Sequence, residues 1–97
     1  MTSHAADPDA QAAGFQGLIP PVETLLAEVI ATLTLAAHAY LEETKDGQPD
    51  LASAEVAIDV ATASFERTKE RLRPEQRLQI SQMLTKIRMT FVQKRGT

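Results

Sequence analysis

Large apolar residues recur along this chain in three stretches of helical period, separated by two breaks. From Pro21 to about Glu43, Val22, Leu26, Val29, Leu33, Ala36, Ala37 and Tyr40 return at steps of three and four, the spacing that places side chains on one helix face. Leu25, Ile30 and Leu41 widen that stripe into a broad apolar arc. A second run, Leu51, Ala54, Ile58, Ala61 and Phe65, follows Asp50, a residue type that caps helix starts with its carboxylate. This middle helix carries a further stripe, Val56, Val60 and Ala63, nearly opposite the first, so it is expected to have protein on two sides. The third run, Ile80, Met83, Leu84, Ile87 and Phe91, begins after Pro74 and leaves Leu78, Met89 and Val92 off its stripe.

The breaks have a plain chemistry. Between the first two runs, Lys45 to Pro49 contains Asp46-Gly47, where glycine permits the positive φ that ends a helix and Pro49 cannot continue one. Between the second and third, Pro74 disfavours helical backbone at Arg73, and Pro74-Glu75-Gln76 is a good helix start. The pattern therefore predicts an all-α fold, a three-helix bundle or bent helical hairpin, with helices near 21–43, 51–71 and 75–94. Residues 1–13 are small and polar, which predicts a disordered N-terminal tail ahead of a single helical domain over 14–97. Phe15, Leu18 and Ile19, beside two glycines, are expected to clamp over a core edge.

The stretch after the first loop also carries three short patterns in order: Ala54 with Ile58-Asp59, then Glu66-Arg67-Thr68-Lys69 before Leu72, then Leu84 and Arg88 followed by Phe91-Val92. In these the chain resembles a family of short bacterial proteins known as domain of unknown function 1844. The resemblance covers nearly everything after the tail and implies an all-helical architecture with no assigned biochemical activity. Two departures stand out. Where that family commonly has a Gly-Asn turn before the position of Leu72, this chain has Glu70-Arg71, which favours more helix and moves the turn toward Pro74. Where the family often has Leu-Gly near the end of its first helix, Leu41 is followed here by Glu42.

Charge adds a polarity along the chain. The formal net charge of -3 divides into about -9 over residues 1–59 and +6 over residues 60–97, so the two halves attract one another within a subunit, between subunits or toward an external anion. Asp59 and Arg88 flank the stripes of the second and third helices at similar distances from the bend, and they are expected to form a structural ion pair. Arg73, Arg77, Arg88 and Arg95 share one side of the third helix. Their stems are expected to lie along the apolar seam and their heads to reach Glu55, Asp59 and Glu66.

Candidate chemistry is sparse. There is no cysteine, which removes disulfides and thiolate metal sites. His4 lies in the tail, and His38 with Glu42 is an ordinary helical pair. No metal site, cofactor site or catalytic constellation is expected, and the chain is read as not an enzyme. The first helix approaches bilayer length, but Glu23, Glu28 and His38 interrupt it, and a cytoplasmic location away from the membrane is expected. The two-sided middle helix and the surplus apolar residues point to self-association, most simply a homodimer, and leave room for a further protein partner. The surface named for such contacts is Val56, Val60, Arg77, Met89, Val92 and Arg95. The leading expectation is a helical interaction or adaptor module; the alternative is nucleic-acid binding through the basic third helix, for which stacking aromatics and a basic pI are lacking.

Overall fold

A computed structural model describes residues 17–42 and 47–96. Among the described residues there are three α-helices, α1 (Val22–Leu41), α2 (Leu51–Thr68) and α3 (Pro74–Arg95), with a 3-10 turn, Lys69–Arg71, between the last two. There is no strand among the described residues, so the fold is all-α, three helices about one core. The expected tail, the clamp residue Phe15 and the loop residues Lys45 and Asp46 lie outside the described residues. Leu18 and Ile19 do not clamp over a core edge, being 77% and 52% exposed.

Each helix end follows from a local cause. The Pro21 carbonyl accepts from the Thr24 and Leu25 amides and so opens α1, while Glu42 swings to an extended backbone and ends it. Gly47 has φ 78°, the left-handed value that glycine adopts without steric cost. Asp50 then caps α2 as expected, its carboxylate accepting from the Ser53 amide at 3.1 Å and the Ser53 hydroxyl at 2.8 Å. The Asp50 amide donates to the Tyr40 carbonyl at 2.8 Å. One residue therefore both starts α2 and ties that start to the last turn of α1.

The regular part of α2 stops three residues earlier than the periodicity suggests. Thr68 donates its hydroxyl to the Ser64 carbonyl at 2.7 Å, and the chain then tightens into the 3-10 turn, which brings Leu72 into the core at 7% exposed. Pro74 forces the preceding Arg73 to an extended conformation, ψ 152°, and occupies the first turn of α3, where its missing amide costs nothing. Gln76 Oε1 accepts from the Arg73 amide at 3.3 Å.

Two adjoining clusters form the core. Ile30 of α1, Ala61 and Phe65 of α2, Leu72, and Ile80 and Leu84 of α3 make one. Ala37 and Leu41, Ala54, Ala57 and Ile58, and Ile87 make the other. The stripes expected for α2 and α3 are the buried ones. For α1 the expectation needs correcting: its buried residues are Ile30, Thr34, Ala37 and Leu41, a face rotated away from the Val22, Val29 and Tyr40 stripe. The alanines of α2 let α1 approach closely along that smaller face. The larger side chains are left outside.

Candidate functional site

What α1 leaves outside becomes the most distinctive surface of the molecule. Val22, Leu25, Val29 and Tyr40 are each about two-fifths exposed, and on the adjoining side of α2 Val56 is 63% and Val60 47% exposed. The two rows lie on the side of the α1–α2 pair turned away from α3. Together they make a ridge, the outer surface of α1, beside a furrow between α1 and α2. The upper furrow is a groove of about 380 Å³ between Leu33, Ala36 and Tyr40 on one wall and Ala52, Val56 and Ala57 on the other. Lower down, Leu26 faces Val60, Ala63 and Arg67 across a second apolar hollow, with Asp59 at its edge.

Of the residues named from sequence, Val56 and Val60 stand on this face. The sequence reading missed Leu25, Val29 and Tyr40 as surface residues, because it assigned the whole apolar arc of α1 to the core. The width of that arc was the available signal: from Leu25 to Leu41 it spans roughly 160° at 100° per residue, more than one neighbouring seam covers.

Met89 and Val92 belong to a separate exposed patch on α3, 60% and 52% exposed, with Thr85, Arg88 and Gln93 around them. Arg77 and Arg95, named with them from the sequence, each engage a neighbouring group. Arg77 lies 4.0 Å from Glu70 across the bend, and the Arg95 guanidinium sits over the Phe91 ring, 5.5 Å from its centroid. Arg73 faces Glu75 of its own helix at 3.6 Å. The arginine heads therefore find nearer groups than the Glu55, Asp59 and Glu66 expected for them, since each can be met within one or two turns of its own helix or the bend.

Asp59 and Arg88 are not brought together. Arg88 Nη2 donates instead to Thr62 Oγ1 at 2.6 Å, and Asp59 lies at the edge of the lower furrow. The cause is side-chain direction. A helical side chain leans toward its own N-terminus, so in an antiparallel pair the Arg88 stem runs toward the C-terminal end of α2 and overshoots Asp59 by about one turn. Thr62 is also turned toward α3, whereas Asp59 points to the outer side of α2.

Elsewhere the electrostatics are local. The Ser53 amide, and then its hydroxyl, hold the Asp50 carboxyl below its usual range. The Glu66 carboxylate, 2.7 Å from Lys69 Nζ, pushes that ammonium above its ordinary value through a hydrogen bond and then through charge. Glu23 meets Arg71 at 3.5 Å and links the start of α1 to the 3-10 turn. Buried Thr34 has a hydroxyl with no hydrogen-bond partner.

Comparison with protein-family models, curated proteins and solved structures finds no match. Among the described residues no group of three His, Asp or Glu side chains is placed to hold a metal ion. α1 is long and apolar enough to cross a membrane by length and composition, with 20 residues and a mean hydropathy of 1.5. Its partner α2, however, carries Glu55, Asp59, Glu66 and Arg67 on exposed positions beside it.

Proposed function

We propose that this chain is a helical protein–protein interaction module, an accessory or adaptor subunit without catalytic activity, whose apolar α1–α2 face is completed by another protein surface. The observation that carries the reading is the pair of exposed apolar rows, Val22–Leu25–Val29–Tyr40 on α1 and Val56–Val60 on α2. Isolated apolar residues on a surface are ordinary, but two parallel rows flanking an apolar furrow form a contiguous patch of the kind that marks association. A short chain with a modest core also gains stability from covering such a patch. The resemblance to the domain of unknown function 1844 family, whose members have no assigned activity, is compatible with this reading.

Competing readings have less support. The groove of about 380 Å³ is of ligand size, but its side-chain polar groups are the hydroxyls of Tyr40 and Ser53, and the Ser53 hydroxyl is already committed to Asp50. Insertion of α1 into a bilayer would carry the charged outer side of α2 with it, at high desolvation cost. Nucleic-acid binding through α3 is weakened by the acids and the ring that Arg73, Arg77 and Arg95 already engage.

The test is the size of the purified chain in solution, by light scattering or sedimentation, with Val29→Asp and Val60→Asp as variants. The reading expects an assembly that each substitution dissociates without loss of helix. A wild-type monomer at high micromolar concentration that also captures no protein partner through this face would contradict it.

A further inference from the structure

We infer that the furrow between α1 and α2 is the seat for the outer face of α3 of a second copy of this chain, a head-to-tail contact that repeats from one copy to the next. The inference rests on the interaction-module reading above and names the partner and the surface that the partner presents.

The furrow sets the terms for its occupant. Its walls are apolar and its rims acidic, with Glu28 on the outer flank of α1, Asp59 at the edge of the lower hollow, and Glu55 one turn before Asp59 on the exposed side of α2. Against these three acids stands Arg67 in the lower hollow. A furrow between two helices accepts a third helix, and acids on both rims favour one whose apolar stripe is flanked by bases.

The outer face of α3 is a stripe of that kind. Leu78, Met89 and Val92 are exposed, fall within about 60° of one another on an ideal helix, and lie roughly opposite the buried Ile80, Leu84 and Ile87. Lys86 leaves the helix on one side of this stripe and Arg88 on the other. Among the described residues Glu28, Glu55, Asp59 and Lys86 make no ion pair within the chain, and Arg88 holds an exposed hydroxyl, not a carboxylate. Charge of both signs is thus left for a contact between copies.

One copy cannot fill its own furrow. The furrow opens on the side of the α1–α2 pair turned away from α3, and the α3 stripe is turned away from the core, so seat and insert face different ways. Each copy then offers a seat to one neighbour and an insert to another, a heterologous contact that extends into a ring or an open chain. The insert is one helix wide, which puts the contact at the small end of specific interfaces and makes the assembly concentration-dependent.

The experiment is complementation between two blocked chains, read by sedimentation of the full chain. Val29→Asp closes the furrow and leaves the α3 stripe, whereas Met89→Asp closes the stripe and leaves the furrow. The wild type is expected to grow past a dimer as its concentration rises into the high micromolar range. Each variant alone is expected to stay a monomer that keeps its helices by circular dichroism, and an equimolar mixture of the two to form a dimer that grows no further. Lys86→Glu added to the Val29→Asp chain is expected to raise the dissociation constant of that mixed dimer about fivefold, since a like charge then meets the acid rim. An unchanged constant would overturn the acid rim as what selects the stripe. Met89→Asp assembling as the wild type does would overturn the α3 stripe as occupant while leaving the interaction-module reading standing. A wild type and a mixture that both stay monomeric would overturn the second copy, and protein capture abolished by Val29→Asp would then show the furrow serving a different partner.

Discussion

The Arg88 guanidinium donates to the Thr62 hydroxyl at 2.6 Å, joining α3 to α2 at a point where an Asp59 pairing is the obvious expectation from sequence. The contact is solvent-exposed, so its worth is modest, about 0.5 kcal/mol net for a hydrogen bond that water can replace. Thr62→Val and Arg88→Ala in urea denaturation should each lose about that much, and the double change should lose less than their sum. Asp59→Ala combined with Arg88→Ala should be additive. Coupling between Asp59 and Arg88 of a kcal/mol would instead restore the ion pair.

Thr34 offers a prediction of opposite sign. Its side chain is 3% exposed and its hydroxyl has no partner, whereas Thr68, equally buried, bonds back to Ser64. A buried hydroxyl without a partner carries its desolvation cost uncompensated. Thr34→Val keeps the shape and removes that cost, so the variant should be more stable by about 1 kcal/mol. A loss of stability would mean that the hydroxyl makes a contact in solution, and that the close approach of α1 depends on it.

These cases show what was legible in the sequence. The three helices, the Asp50 cap and the Pro74 break could all be read, because each depends on residues within one or two turns. The buried face of α1 could not. Its periodic arc is broad, and which part turns inward is decided by the small Ala54, Ala57 and Ala61 on a different helix, where close backbone approach outweighs burying the larger Val22, Val29 and Tyr40. The Asp59 expectation failed for a related reason: counting residues from a bend gives height but neither the side from which a side chain leaves its helix nor the direction in which it leans. The candidate surface was half legible. Val56 and Val60 were named because they lie opposite a strong stripe, and the α1 row was missed because it is the strong stripe.

Acid should loosen the molecule first at the start of α2. The Asp50 carboxyl is held below its ordinary value by Ser53, so the unfolded chain takes up this proton more readily than the folded one. Its contribution to stability is complete above the ordinary carboxylate value and is lost as pH falls through the lower folded value. Thermal melts of wild type and Asp50→Asn between pH 7 and pH 2 should differ at neutral pH and converge at the acid end. Curves that stay parallel throughout would deny the cap its charge.

The proposed function turns on the α1–α2 face being an interface and not a solvent-facing surface. Sedimentation velocity of the full chain at high micromolar concentration, beside Val29→Asp, tests it most directly. A species larger than one chain is expected for the wild type and a folded monomer for the variant. Both chains sedimenting as the same monomer, with no protein partner captured through this face, would contradict it.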